Sequence, residues 1–108
     1  MEEIPNLITL NSIINNLSNI NRLIVLDFTA TWCAPCQALV PHLNNLNTKY
    51  QNVLFFKIDV DNEEHSDTLN IYSISAMPTV ILIRNREIVA SLVGANSVEI
   101  ENKILQYQ

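Results

Sequence analysis

The chain has 108 residues and a mass of 12.3 kDa, enough to bury one core without a scaffold of disulfides, and its 48% hydrophobic and 16% charged composition excludes a disordered chain. A net charge of -5, with six scattered Lys and Arg residues, argues against nucleic acid or an anionic membrane as partner, because phosphate binding needs clustered cations. The acidic opening MEEIPNLITLNSI, broken by Pro5, does not read as a secretory signal, and the longest apolar runs, LIVL and TVILI, fall far short of the roughly 20 residues of a membrane helix. The reducing cytosol is the expected compartment, where a close cysteine pair is more often catalytic or metal-binding than structural.

Residues 4–10, IPNLITL, alternate loosely and read as an edge strand, since Pro5 does not suit a central one. Asn11 then reads as the cap of a short amphipathic helix with Ile13, Ile14, Leu17 and Ile20 on one face. LIVLDF, 23–28, is a nearly continuous β-favouring run, the pattern of a parallel strand covered on both faces, with Asp27 its one polar member. From Cys33 to Tyr50 the apolar residues step by three or four, giving a helix that Pro41 should kink rather than end. VLFFKIDV, 53–60, is a second central strand, and 63–72 a short helix. TVILI, 79–83, and EIVASLV, 87–93, are joined by Arg84-Asn85-Arg86, a link short enough only for an antiparallel hairpin. Asn96 and Glu99 resemble a capping box for a terminal helix. The order βαβαβα followed by ββα predicts an α/β fold, one domain over 1–108, with a mixed sheet.

Both cysteines fall within TWCAPC. Cys33 sits where strand gives way to helix, so its sulfur faces the orphan amides and the positive end of that helix, which favours thiolate. Cys36 lies one turn deeper on the apolar stripe, and Pro35, in the first turn, loses no intrahelical bond. Three chemistries compete. A zinc site needs four ligands, and beyond this pair only His42 and His65 remain, neither at a standard spacing. A purely structural disulfide would close a tiny loop and remove little entropy from the unfolded chain. Thiol–disulfide exchange, with one sulfur attacking and the other resolving, is the favoured reading.

Asp27 bears on that choice. A charged, unpaired carboxylate in an apolar strand costs several kcal/mol, so Asp27 should have a raised pKa or find a cation, with Lys57 the candidate; the alternative is that it ends its strand and faces solvent. If buried, it is a general-base candidate for the Cys36 proton. His42 and His65 are expected to be solvent-facing helix residues.

VLDFTATWCAPCQALVPHL, FFKIDVD, ISAMPT and REIVASLVGA together resemble the thioredoxin family, from about Ile4 to the C-terminus. The resemblance implies the thioredoxin fold, a mixed sheet of about five strands with helices on both faces, and a cis peptide between Met77 and Pro78 beside Cys33. It implies that the Met77 backbone pairs with an extended substrate, and that Trp32, Ala34, Pro35, Ala76, Pro78, Val93, Gly94 and Ala95 surround the sulfur as a shallow apolar surface. For Val93 and Trp32 plain core packing stays open; Gly94, the one glycine of the chain, is expected to mark backbone that cannot carry a side chain. Gln37 stands where Lys or Arg is usual, removing a favourable charge near the Cys33 thiolate, and Arg86 stands at a usual hairpin glycine, which argues against a tight primed turn. The implied activity is a cytoplasmic, monomeric protein-disulfide reductase with no bound cofactor or metal, acting on disulfide-containing proteins and recycled by a thioredoxin reductase. The rival is a redox-independent binding subunit using the same apolar surface.

Overall fold

A computed structural model describes residues 1–108. Its centre is β2 (Ile24–Thr29), every residue of which is buried. β2 pairs in parallel with β3 (Leu54–Asp59) and antiparallel with β4 (Thr79–Arg84); β5 (Glu87–Val93) lies outside β4, and β1 (Glu2–Glu3) lies outside β3. The five-stranded order is β1-β3-β2-β4-β5. Because alternate residues of a strand face opposite sides, β2 feeds two cores. Leu23 and Val25 pack with Phe55 against α2 (Ala34–Lys49) and α4 (Ser97–Tyr107). Ile24, Leu26 and Phe28 pack on the other face against α1 (Leu7–Asn15) and the region of α3 (Ser66–Ile71). The mixed sheet with helices on both faces is the architecture expected, as is the cis peptide between Met77 and Pro78. No helix is long and apolar enough to cross a membrane.

The amino-terminal segment differs from its expected structure. The strand is confined to Glu2–Glu3, and most of IPNLITL is helix, with Leu10 and Ile14 buried. Its cap is Asn6, whose Oδ1 accepts the Thr9 amide hydrogen at 2.8 Å; Asn11 is an exposed residue within the helix. Leu17 does not share the buried stripe, because the helix stops at Asn15 and Leu17–Asn19 form a separate 3-10 turn that leaves Leu17 exposed. The helix over Cys33–Tyr50 does run unbroken past Pro41.

His65 is the second correction. It closes a 3-10 turn (Glu63–His65) and is fully buried, while His42 is exposed on α2 as expected. The Ile4 carbonyl, 2.7 Å from Nε2, can only accept, so Nε2 carries the hydrogen, and Nδ1 is hydrogen-bonded with the Thr68 hydroxyl at 2.9 Å. Those two bonds satisfy both ring nitrogens and fasten the start of the chain to the β3–α3 connection.

The hairpin is the third. Arg84 pairs with Glu87, leaving Asn85 and Arg86 as a two-residue loop with φ of 53° and 67°, the positive pair of a type I′ turn. The primed turn forms without glycine and carries the strain of a left-handed arginine. Arg86→Gly is expected to raise stability in urea unfolding by about 0.5–1 kcal/mol, the relief of that strain less the entropy a glycine adds to the unfolded chain.

Candidate active site

β2 delivers the chain to the site and α2 carries it away. The Cys33 amide donates to the Ala30 carbonyl at 3.2 Å, turning the chain sharply off the strand, and α2 begins one residue later. Cys33 is the N-cap of α2: its Sγ accepts the Cys36 amide hydrogen at 3.3 Å, one of the donors a helix start leaves without a partner. The two sulfurs are bonded to each other, with their Cα atoms 5.3 Å apart. Cys36 is 0% exposed and Cys33 6%, so what little the outside reaches of the pair belongs to Cys33. Pro35 occupies the first turn, where no intrahelical bond is lost.

Around the disulfide three segments distant in sequence converge. Met77 packs beside Ala30, Cys33 and Cys36, and Pro78 is buried behind it. The Gly94 amide donates to the Pro78 carbonyl at 2.9 Å, tying the end of β5 to the proline loop. Ala34, Pro35, Ala76 and Ala95 are exposed, Val93 is 69% exposed and Trp32 67%. Neither Val93 nor Trp32 is a core residue; both stand on the surface as apolar area. Trp32 is fixed there by its indole Nε1, which donates to Asp61 Oδ2 at 2.7 Å. Asp61 was not singled out by the sequence reading; its place just beyond β3, level with the end of β2, was the available signal. Gly94 has φ of +103°, and a Cβ built on it would meet nothing within 4 Å, so conformation rather than lack of room calls for glycine. Gln37 donates from Nε2 to the Ala30 carbonyl at 2.9 Å, a neutral brace in the place where the resemblance makes Lys or Arg usual.

Asp27 is completely buried, which excludes the solvent-facing alternative. It lies directly across from Lys57 in the β2–β3 register, yet neither carboxyl oxygen has a hydrogen-bond partner. The Lys57 ammonium instead lies 3.9 Å from Glu3 on β1. Burial therefore dominates, pushing the Asp27 carboxyl from 3.8 up to about 7, with the Lys57 charge pulling it back only in part. Asp27 and Lys57 both line a cleft of ≈ 230 Å³, whose floor is β2 and β3 and whose wall is Gln37, Val40 and Asn44 of α2. No cluster of three or more His, Cys, Asp or Glu side chains is placed to hold a metal.

A family model described as Thioredoxin matches residues 7–106. This chain belongs to the thioredoxin family. Thioredoxin H4 of Arabidopsis thaliana is 42% identical over 88 residues, spanning 81% of this chain and 72% of that protein. The X-ray structure of Fasciola hepatica thioredoxin superposes with a TM-score of 0.92 at 34% identity, covering 100% of both chains. Schistosoma mansoni thioredoxin gives 0.89 at 40% identity, covering 98% of this chain and 94% of the other. Cys33 and Cys36 are thus the redox pair of a thiol–disulfide oxidoreductase.

The burial of Asp27 has a direct thermodynamic consequence. An unfolded Asp27 ionises near its ordinary value of 3.8, whereas the folded one holds its proton to about 7. Between those pH values the native state binds more protons than the unfolded chain, so the contribution of Asp27 to stability falls as pH rises and its full penalty is present above pH 7. At about 1.4 kcal/mol per pH unit the upper bound is about 4 kcal/mol. Asp27→Asn is expected to stabilise the oxidised protein by about 2–4 kcal/mol at pH 8 and to give no such gain below pH 4, measured by chemical unfolding across pH.

Proposed function

We propose that residues 1–108 act as one monomeric thioredoxin domain that reduces protein disulfides in the cytoplasm and is itself re-reduced by a thioredoxin reductase. The observation that carries this reading is the pairing of a slightly exposed sulfur, capping a helix, with a fully buried one three residues on, inside a rim of exposed apolar side chains.

In the reduced protein the Cys33 thiolate, held by the amides at the start of α2, attacks one sulfur of the substrate disulfide. The other substrate sulfur leaves as a thiolate and takes up a proton, and a mixed disulfide joins Cys33 to the substrate. Asp27 then accepts the Cys36 proton. With its carboxyl at about 7, it is partly ionised at neutral pH and well matched to that transfer. The Cys36 thiolate displaces the second substrate sulfur from Cys33, which closes the Cys33–Cys36 bond. Two electrons and two protons pass to the substrate, and the reductase supplies their replacements. Lys57, across the ladder from Asp27, stabilises the carboxylate form.

Substrate binding falls to the rim. Trp32, Ala34, Pro35, Ala76, Val93 and Ala95 offer apolar area, and Met77, with Pro78 behind it and Gly94 bracing the loop, presents backbone to an extended substrate strand. This surface suits a main-chain-guided partner whose side chains vary.

Insulin reduction coupled to NADPH oxidation by a thioredoxin reductase tests the assignment. Cys33→Ser should abolish turnover. Cys36→Ser should retain the first attack and accumulate a substrate adduct on Cys33, seen as a mass increase that dithiothreitol removes. Undiminished cellular function after replacing both cysteines with serine would instead mark the chain as a binding subunit.

A further inference from the structure

Three buried polar atoms lack any partner: both carboxyl oxygens of Asp27 and the hydroxyl of Thr29. They are not scattered. Asp27 and Thr29 are two residues apart on β2, so they project from the same face of the sheet, and both line the ≈ 230 Å³ cleft. That face is apolar lower down, where Leu23 and Val25 meet α2, and turns polar at this level, where Gln37, Val40 and Asn44 form the opposing wall. A buried hydroxyl without a partner is unfavourable, a cost removed when water occupies the space beside it. A water takes up about 30 Å³, so the cleft has room for several.

We propose that Thr29 is a positioning residue for the disulfide-exchange reaction: its hydroxyl holds water against the Asp27 carboxyl, and that water both solvates the carboxylate and carries its proton between the buried acid and solvent. The hydroxyl is suited to the task because it donates and accepts, orienting a water that in turn donates to a carboxylate oxygen. The other charged groups lining the cleft with Asp27 are Lys57 and Asp59 on β3, Glu3 on β1 and Met1, which carries the amino-terminal ammonium; α2 contributes only uncharged side chains to it, and β4 places Val80 opposite Asp27. Lys57 lies nearest Glu3 at 3.9 Å, which leaves solvation of Asp27 to the cleft. The role rests on Asp27 being the base for Cys36, but the link between Thr29 and Asp27 is measurable without that assumption.

Thr29→Val keeps the shape and β-branching and deletes the hydroxyl, while Thr29→Ser keeps the hydroxyl. Two quantities are read in the wild type and both variants: the ionisation midpoint of the Asp27 side-chain carboxyl, by carbon-13 NMR of the oxidised protein, and the pH profile of mixed-disulfide resolution, by rapid-quench kinetics. Thr29→Val should raise the Asp27 midpoint by about one pH unit, the equivalent of one lost hydrogen bond to a charged group, and move the acid limb of the rate profile with it. Thr29→Ser should restore both. An unchanged midpoint in Thr29→Val, or a shift of equal size in Thr29→Ser, overturns the proposal. In Asp27→Asn the acid limb should vanish; if it persists, Asp27 is not the base, and the carboxyl midpoint alone then decides whether Thr29 solvates Asp27.

Discussion

Strand β2 is hydrogen-bonded along both edges, covered on both faces, and ends where α2 begins. That confinement is the condition for everything at the active site. It fixes the direction in which the chain leaves the sheet, and therefore places Cys33 at the start of a helix whose unpaired amides favour negative charge. It also places Asp27 in a buried ladder position where an ionised carboxylate is expensive, so that the acid keeps its proton into the neutral range. The attacking sulfur and the base that serves the resolving sulfur thus owe their properties to one element, through opposite effects: charge stabilised at its end and penalised in its middle.

The rim follows from the same frame. β4 runs beside β2 and brings Met77 and Pro78 to the level of the cysteines, and β5 returns to that level with Val93 and Gly94. The hydrogen bond between Gly94 and Pro78 joins the two arrivals. Exposed apolar side chains make up much of the rim, while Asp61 holds the indole of Trp32 and Gln37 braces the Ala30 carbonyl.

Much of this was legible in the residues themselves. The central strands announced themselves as continuous apolar runs, and the Cys33–Cys36 spacing and Asp27 declared the chemistry, the latter because a carboxylate is a costly choice in an apolar strand. What misled was local chemistry that two competing patterns share. IPNLITL carries apolar residues that suit a strand or a helix, and only the Asn6 side-chain bond to Thr9 decides between them. His65 looked like surface because nothing near it in sequence reveals that the Ile4 carbonyl, 61 residues away, needs a donor. Arg86 looked incompatible with a primed turn, yet the pairing of β4 and β5 outweighs its backbone preference. The failure of Lys57 to pair directly with Asp27 could not be read at all, since it depends on Glu3 arriving from an edge strand two residues long.

Closing the bond between residues 33 and 36 links positions one helical turn apart, their Cα atoms 5.3 Å from each other. Both residues lie at the start of α2, outside the pairing that joins the five strands of the sheet. The bond that holds or releases the electron pair is thus confined to a single turn of backbone, and the strands' own pairing does not pass through it.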